Sequence, residues 1–182
     1  MENLSLRIPK ILKSLRQEKG WSLDKASQET GVSKAMLGQI ERSESSPTIA
    51  TLWKIASGFN VSFSFFIQDL NQNQSMHRIG NPEQLHPKDD KIFFMPIFPY
   101  DEKFRFEVFV IELLPGCEHL SPAHQKGVVE HIIVASGEIE VFIRGAWRSV
   151  KEGEGLGFEA DQSHGYRNLS KKKAVFHDII HY

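Results

Sequence analysis

Three side chains in the segment 35–42 have the types and the spacing that a DNA-reading helix needs. Leu37 and Ile40 are apolar and three residues apart, which is the spacing of a buried helix face. A helical period of 3.6 residues then places Ala35, Gln39 and Arg42 on the opposite side. A glutamine amide can pair with adenine, an arginine guanidinium with guanine or a phosphate, and an alanine methyl can touch a thymine methyl. The segment is therefore predicted to contact the bases of duplex DNA.

Two helices joined by a short turn must hold this face in place. Ser22 and Ser33 each stand where the N-cap of a helix is expected, ahead of apolar residues at helical spacing. Gly31 lies between them and can adopt the left-handed conformation that ends a helix. Because only residues 30–32 separate the two helices, the angle between them must be sharp. The pattern predicts a helix-turn-helix unit whose second helix enters the major groove.

Three further helices are predicted around this unit. The first begins near Ile8-Pro9 and stops before Gly20, since proline is tolerated in a first turn. A fourth helix follows from Ile49 to Ser57, and a short fifth helix from Ser62 to Ile67. The five helices are expected to form a small bundle. Its core is expected to consist of the apolar residues Leu12, Leu15, Ala26, Leu37, Ile40, Leu52, Ile55, Ala56 and Phe59.

The strings WSLDKASQETGVSKAMLGQIER and PTIATLWKIA resemble the XRE (Cro/C1-type) helix-turn-helix regulators over about residues 7–67. Many members have a phosphate-clamping glutamine where this chain has Leu23, so Ser22 and the helix N-terminus are expected to bind that phosphate. Glu41 is expected to pair with Arg16 or Arg42 inside the bundle. Lys34 and the Ser33 hydroxyl suit phosphates. The resemblance implies that six residues face the DNA: Ser33, Lys34, Ala35, Met36, Gln39 and Arg42.

Charge and composition limit the class of protein. The 182 residues carry a net charge of −1, which does not suit a nonspecific coat on nucleic acid. Residues 1–70 carry nine basic and seven acidic residues, or +2, and residues 71–182 carry thirteen and sixteen, or −3, which suits DNA binding at one end. Cys117 is the single cysteine, so no intramolecular disulfide can form. No apolar run approaches the ~18–20 residues of a membrane span, and the N-terminus lacks a secretory pattern. We expect a cytoplasmic protein without membrane contact.

The second half of the chain has the texture of β-structure. Residues 68–90 are polar without a sustained period and are predicted to be a linker between residues 1–67 and 91–182. Beyond them, apolar and β-branched runs alternate with turns such as Pro115-Gly116 and Arg144-Gly145. Many short strands without helical stretches favour a sandwich or a barrel. About eight strands are predicted, at 92–98, 104–114, 128–136, 138–143, 147–150, 155–158, 165–169 and 174–181.

Two motifs in this half resemble those of the cupins, a family of jelly-roll barrels, over about residues 104–182. The first is Pro115-Gly116 followed by HQKGVVE at 124–130 and Gly137, and the second is GEGLGFEADQSHGYRN at 153–168. The resemblance implies a two-domain α+β chain, with an all-α five-helix lambda-repressor-like bundle followed by an all-β cupin jelly-roll barrel. An XRE domain followed by a cupin is itself a family of regulators. The strings KGVVEHIIV and IHY are similar to a subgroup linked to sulfur utilisation.

The cupin resemblance also implies a set of metal ligands. By position, His124, Glu130 and His164 match the family's ligands, and two histidines with one carboxylate suit Fe(II) or a similar ion. The family's remaining histidine falls on Lys126, whose positive charge within ~4 Å would oppose a dication by several kcal/mol at intermediate dielectric. No cofactor is therefore expected, with a divalent metal as the alternative.

A second interpretation gives Lys126 the role of the metal. A lysine near His124 and His164 at the mouth of a barrel can bind an anionic metabolite, such as a carboxylate or a sulfonate. Glu130 would then pair with Lys126 or orient a histidine. Strand alternation places Tyr166 on the same face as His164, so it joins the expected effector site.

These observations predict a sequence-specific transcriptional regulator rather than an enzyme. The N-terminal bundle is expected to bind a double-stranded operator, and the barrel is expected to form a homodimer and to sense a small molecule, which is anionic in the second interpretation. Two alternatives stay open. One is a cupin metalloenzyme, an isomerase or a dioxygenase, that carries a DNA-binding domain. The other is a regulator whose cupin domain only dimerises.

Overall fold

The computed structural model describes residues 4–67 and 91–182, and the predicted linker at 68–90 lies outside the described residues. The chain divides into two compact units, Met1–Asp69 and Leu70–Tyr182. Helices form the first unit and strands the second, which confirms the predicted fold class. No described helix is long and apolar enough to cross a membrane. The helices are α1 (Leu4–Glu18), α2 (Leu23–Thr30), α3 (Lys34–Glu41), α4 (Ile49–Phe59) and α5 (Ser64–Ile67).

The turn between α2 and α3 forms as the sequence predicts. The Ser22 hydroxyl accepts a hydrogen bond from the backbone N–H of Lys25 at 3.1 Å, which caps α2. The Ser33 hydroxyl accepts from the N–H of Met36 at 3.2 Å, which caps α3. Gly31 ends α2 with a left-handed φ of 65°. Because each cap is local, three residues suffice to end one helix and begin the next.

Two helix boundaries differ from the prediction. Because α1 already begins at Leu4, the expected start near Ile8-Pro9 is wrong. Pro9 therefore lies more than one turn inside the helix, where its missing N–H removes one backbone hydrogen bond, and it is buried. At the other boundary, α4 continues to Phe59 and ends at Asn60, which adopts a left-handed φ of 58°.

The core of the helical unit contains every residue that the sequence predicted for it, and all nine are buried. Trp53 of α4 stacks on Phe63, the residue before α5, with ring centroids 4.3 Å apart. Gly58 permits a close approach between helices, since a Cβ atom there would lie 2.5 Å from the Cα of Thr30 at the end of α2. These contacts hold α2, the first helix of the helix-turn-helix unit, against α4.

One ion pair fixes helix α3 to α1. Arg16 donates from Nε and Nη2 to the two carboxylate oxygens of Glu41 at 2.6 and 2.8 Å, and from Nη1 to the carbonyl of Trp21 at 2.8 Å. The two side chains are only 15% and 8% exposed. The hydrogen bond to Glu41 raises the pKa of Arg16 even though burial lowers it. The sequence predicted that Glu41 pairs with Arg16 or Arg42, and its partner is Arg16.

Two antiparallel sheets form the second unit. The order of the first sheet is β1-β2-β9-β4-β7 and that of the second is β3-β8-β5-β6, so sequence neighbours are often separated in space. Side chains of the two sheets meet inside, as where Tyr166 contacts Phe176 with ring centroids 5.1 Å apart. The strands in residues 91–182 are β1 (Ile92–Asp101), β2 (Phe106–Leu113), β3 (Cys117–Ser121), β4 (Val129–Ser136), β5 (Glu138–Ile143), β6 (Ala146–Lys151), β7 (Gly155–Glu159), β8 (His164–Asn168) and β9 (Ala174–His181).

The sequence missed β3 and underestimated β1. Cys117–Ser121 is short and polar, and it becomes a strand by pairing with β8 over its whole length. β1 extends to Asp101 through two prolines because it is an edge strand, where a missing N–H is tolerated, and its register shifts between Pro96 and Phe98. Burial in β4 alternates, with Glu130, Ile132 and Val134 inside and His131 outside, as expected.

Replacement of Glu41 by glutamine tests the ion pair between α1 and α3. In E41Q, the Arg16 guanidinium would lose its charged partner in a largely buried position. We therefore expect E41Q to lower the free energy of unfolding by about 1–3 kcal/mol. Urea unfolding followed by helical circular dichroism at 222 nm measures this loss. E44Q is the matched control, since Glu44 forms an exposed pair with Arg42 and should matter little. Equal effects of the two variants would show that the buried pair has no special role.

Candidate functional sites

The helix α3 presents the six predicted DNA-facing residues to solvent. Ser33, Lys34, Ala35, Met36, Gln39 and Arg42 are all exposed, whereas Leu37, Gly38 and Ile40 of the same helix are buried. In the described part of the chain, the side-chain amide of Gln39 forms no hydrogen bond to another residue. This amide is therefore available to pair with a base edge.

The two N-cap serines combine a structural role with an open donor. Each hydroxyl of Ser22 and Ser33 uses an acceptor lone pair to cap its helix, so its own proton can still be donated. Both residues are exposed at the N-terminus of a helix, where the helix dipole favours an anion. A phosphate could be bound at each N-terminus without loss of the cap.

Acidic neighbours already pair with the two basic residues of this surface. Lys34 Nζ lies 2.8 Å from Asp24 Oδ2, and Arg42 donates from Nε and Nη2 to the Glu44 carboxylate at 2.8 and 2.7 Å. The hydrogen bonds raise the pKa of Arg42 and lower the pKa of Glu44. All four side chains are more than half exposed. The exposed surface around α3 therefore carries paired charges of both signs rather than a uniform positive charge.

Inside the barrel, three predicted site residues come together. His124 Nε2 lies 2.8 Å from Glu130 Oε1, and His164 Nε2 lies 3.3 Å from the same oxygen. The side chains are 5%, 1% and 2% exposed, for His124, Glu130 and His164. One potential ligand atom from each residue lies within 4.8 Å of the other two. We call His124, Glu130 and His164 the barrel cluster.

Strands and a short segment position the barrel cluster. Glu130 is an inward residue of β4 and His164 is the first residue of β8. His124 precedes β4, and its backbone N–H donates to the carbonyl of Ala160 at 2.8 Å. Tyr166, also predicted as a site residue, donates from its hydroxyl to Glu130 Oε2. The carboxylate thus presents one oxygen to the histidines and the other to the phenol.

The protonation of His164 shows what the barrel cluster can bind. Its Nδ1 lies 2.9 Å from the carbonyl of Gln162, which fixes a proton on Nδ1. Its buried Nε2 faces a carboxylate oxygen but makes no hydrogen bond of good geometry in the described residues. Burial lowers the pKa of His164, but the negative charge of the nearby Glu130 carboxylate raises it more. With a proton on Nε2, His164 can donate to Glu130, and without that proton the same nitrogen has the lone pair that a metal ligand needs.

Electrostatics inside the barrel follow from the same contacts. Burial would raise the pKa of Glu130, but the two histidines hold it well below its usual range. Burial, followed by the charges of Asp178 and Glu130, raises the pKa of Tyr166 well above 10. Tyr166 therefore stays a hydrogen-bond donor and Glu130 stays ionised at neutral pH.

Lys126 does not join the barrel cluster, in contrast to the sequence-based interpretation. It lies in an exposed turn in which the N–H of Val128 donates to the carbonyl of Gln125 at 3.1 Å. Within the described residues it forms no ion pair or hydrogen bond through its side chain. The expected pairing of Lys126 with Glu130 is therefore wrong, because Glu130 pairs with His124 and His164 instead. Glu130 orients histidines, which was the other expectation.

Two acidic residues inside the barrel escaped the sequence analysis. Glu107 on β2 is fully buried and accepts a hydrogen bond from the hydroxyl of Tyr182. Asp178 on β9 is 3% exposed. Burial, then the charges of Glu130 and Glu107, raises the pKa of Asp178 well above its usual value. The signal was present in the alternation of β9, where Asp178 has the same parity as the buried residues Phe176 and Ile180.

Comparison with known families finds a match in each unit. A family described as "Helix-turn-helix" matches residues 12–66, and a family described as "Cupin domain" matches residues 109–180. The first range contains the whole surface of α3, and the second contains the barrel cluster.

Comparison with individual proteins gives relatives of nearly the same length. The chain is 46% identical over 182 residues to "HTH-type transcriptional regulator SutR" of Escherichia coli (strain K12), covering 100% of this chain and 98% of that protein. It is 45% identical to an HTH_3 family transcriptional regulator from Vibrio cholerae whose crystal structure is known. The two structures have a TM-score of 0.87, and the match covers 98% of this chain and 97% of that chain. A cupin domain of an XRE family transcriptional regulator from Enterobacter cloacae is 42% identical, with a TM-score of 0.50, covering 51% of this chain and 98% of that chain. These three proteins are named as regulators rather than as enzymes.

Replacement of Tyr166 by phenylalanine tests how the Glu130 carboxylate is held. The ring and its contact with Phe176 are kept, but a buried, charged acceptor loses its donor. We expect Y166F to lower the free energy of unfolding of the strand unit by about 1.5–3 kcal/mol in chemical denaturation. The matched control is S149A, which removes an exposed hydroxyl donor to Glu138 at 2.6 Å. If S149A costs as much as Y166F, the buried hydrogen bond has no special role.

Proposed function

The chain belongs to the helix-turn-helix transcriptional regulators that carry a C-terminal cupin domain, and we propose that its barrel senses a small molecule and thereby controls binding of α3 to an operator. The observation that carries the sensing role is the barrel cluster. A barrel that served only for packing and dimerisation would be most stable with apolar residues inside, since buried polar groups are costly. Here His124, Glu130 and His164 direct three polar atoms to one point instead.

For the DNA-binding face we propose a division between base reading and phosphate binding. Gln39 is the main reader of a base edge, because its amide has no partner in the described residues. Ala35, Met36 and Arg42 lie on the same exposed face. Lys34 and the hydroxyls of the two N-cap serines bind phosphates, which set the position of α3 in the groove.

We also propose that the protein acts in the cytoplasm as a homodimer. Two copies would place two recognition helices on half-sites about one helical turn (~34 Å) apart in a roughly palindromic operator. A ligand changes this arrangement only if it binds two states of the protein with different affinity. Segment 68–90 connects the two units in sequence. We propose that it transmits the effect of ligand binding from the barrel to the DNA-binding unit.

A divalent metal ion fits the barrel cluster. Two imidazoles and one carboxylate are a suitable donor set, and the second nitrogen of His164 is oriented by a backbone carbonyl, as is usual for metal-binding histidines. The sequence analysis expected the positive charge of Lys126 to oppose binding of a divalent ion. Because Lys126 is exposed, this objection is weaker. His124, Glu130 and His164 would hold the ion, and it would supply a Lewis-acidic point at which a ligand oxygen, nitrogen or sulfur can bind. Tyr166 would keep Glu130 oriented in either state.

Gel-shift titration of upstream genomic DNA with the Q39A variant tests the base-reading role. The loss of a bidentate contact to a base should weaken binding to the preferred fragment by about 1–3 kcal/mol and reduce the preference over competitor DNA. Q17A is the matched control, because Gln17 is an exposed glutamine on α1. A wild-type protein without preference for any fragment would refute the proposed function, and an unchanged preference in Q39A would refute the role of Gln39.

Replacement of His164 by alanine tests the proposed metal site. After incubation with Fe(II), Co(II) or Zn(II) and desalting, we expect about one ion per wild-type chain by elemental analysis and a loss of ion from H164A, since a two-ligand site binds much more weakly. H131A is the matched control, because His131 lies on β4 beside Glu130 but faces outward. Equal metal content in H164A and the wild type would contradict the site.

A further inference from the structure

A cavity lies between the free edges of the two sheets. β6 and β7 are each the last strand of their sheet, so each has one side without a strand partner in residues 91–182. The cavity between them has a volume of about 500 Å³, which is within the ~300–1,000 Å³ of small-molecule sites. It lies outside the barrel cluster. The described residues that line it are Arg148, Ser149 and Val150 on β6, Glu154 just before β7, and Gly155 and Leu156 on β7.

A positive charge faces the cavity from β6. The cross-strand partner of Arg148 is Val141, which is buried, so the Arg148 side chain is on the inward face of the strand. It is nevertheless exposed, because β6 is an edge strand and the inward face opens there into the cavity. The guanidinium forms no ion pair or hydrogen bond with another described residue. Its N–H donors are therefore available to a ligand, and their planar arrangement suits a carboxylate.

A negative charge faces the same cavity from the start of β7. Glu154 Oε2 accepts a hydrogen bond from the backbone N–H of Lys151 at 2.9 Å, which holds the carboxylate in place. Glu154 Oε1 has no partner among the residues that the structure describes, and Glu154 forms no ion pair with Arg148. Two opposite charges that line one cavity without pairing with each other are complementary to a ligand that carries both charges.

The backbone of β6 adds a hydrogen-bond donor beside Arg148. The N–H of Lys151 points away from β5, because it donates to Glu154. N–H directions alternate along an antiparallel strand, so the N–H of Ser149, two residues earlier, also points to the free edge. The Ser149 hydroxyl lies on the outer face, where it donates to Glu138 at 2.6 Å. Ser149 therefore faces the cavity through its backbone, and a carboxylate at Arg148 meets a second donor.

Aliphatic groups complete the cavity. Val150 is only 4% exposed, and Leu156 is an inward residue of β7, since its cross-strand partner Ile132 is buried. A ligand that covers these two side chains removes apolar surface from water. The cavity thus combines a cation, an anion and an apolar surface.

We propose that this cavity binds a small zwitterion with an apolar body, of the chemical class of the apolar α-amino acids. The ligand carboxylate binds the Arg148 guanidinium and the N–H of Ser149, and the ligand ammonium group donates to Glu154. The apolar side chain packs on Val150 and Leu156. The inference goes beyond the proposed function, because it adds a ligand site that does not involve the barrel cluster.

Three probes with the same isobutyl body separate the contributions of the two charges. Leucine carries both charges, 4-methylpentanoate carries only the carboxylate, and 3-methylbutylamine carries only the ammonium group. In calorimetric titration of the full-length protein, we expect leucine to bind at least about tenfold more tightly than either analogue, since each analogue loses one charge-assisted contact. Absence of leucine binding would overturn the proposal, and so would an analogue that binds as tightly as leucine.

The R148Q and E154Q variants assign each charge of the ligand to its partner. R148Q should lower the affinity for leucine and for 4-methylpentanoate by about tenfold and leave the affinity for 3-methylbutylamine unchanged. E154Q should lower the affinity for leucine and for 3-methylbutylamine by about tenfold and leave the affinity for 4-methylpentanoate unchanged. Both side chains are exposed, so we expect both variants to fold. Wild-type affinity for leucine in either variant would show that its side chain does not contact the ligand.

Two matched variants control for the general charge of the surface. Arg144 is an exposed arginine in the turn between β5 and β6, and it does not line the cavity. Glu152 is an exposed glutamate whose Oε2 accepts from the backbone N–H of Gly137 at 3.2 Å, a bond of the same kind as that of Glu154. R144Q and E152Q should bind leucine as the wild type does. Losses as large as those of R148Q and E154Q would refute a specific site.

A separate measurement distinguishes this inference from the proposed function. Gel shifts without leucine show whether the protein binds DNA selectively, whatever the probes do. Selective DNA binding without affinity for leucine refutes the zwitterion site alone. Leucine binding that depends on Arg148 and Glu154, without selective DNA binding, supports the site and refutes the regulator.

Discussion

The interior of the barrel is organised by one buried carboxylate. Glu130 presents Oε1 to His124 and His164 and Oε2 to Tyr166, and its side chain is 1% exposed. An ionised group in such a position is stable only while its partners stay in place, because each partner that is lost leaves the buried charge less well compensated. His124, from the segment before β4, and His164 and Tyr166, both from β8, must therefore converge on Glu130. The packing of β4 and β8 in opposite sheets is what makes this possible.

The helical unit depends on a different kind of constraint, which is local. The caps of α2 and α3 use residues three positions apart, and the turn needs only Gly31 in a left-handed conformation. Tertiary contacts then place these helices: a buried apolar core holds the bundle together, and Arg16 and Glu41 join α3 to α1. The exposed face of a short helix such as α3 can thus keep a fixed orientation, which the proposed base-reading role requires.

This difference explains how far the sequence could predict the structure. The helix-turn-helix unit was predictable because its signals lie within a few residues of their effects. The meeting of His124, Glu130 and His164 was predictable from motif positions, but the place of Lys126 was not, since a turn at 125–128 carries it to the surface. Asp178 and Glu107 were missed because their environment is formed by cross-strand neighbours that are distant in the sequence. β3 was missed because pairing with β8, rather than its own composition, makes it a strand.

The two units also differ in how easily their charges can exchange partners. On the DNA-facing surface, Lys34 and Arg42 form exposed pairs with Asp24 and Glu44, and water and salt make such pairs weak and quickly replaced. A phosphate can therefore displace the acids at small cost, and the contact remains reversible. In the barrel the charges are buried, so a change of partner requires a ligand, an ion or a proton of matching charge. The proposed function assigns the reversible pairs to DNA binding and the buried pairs to ligand sensing, which agrees with this difference because only a specific ligand can alter a buried pair.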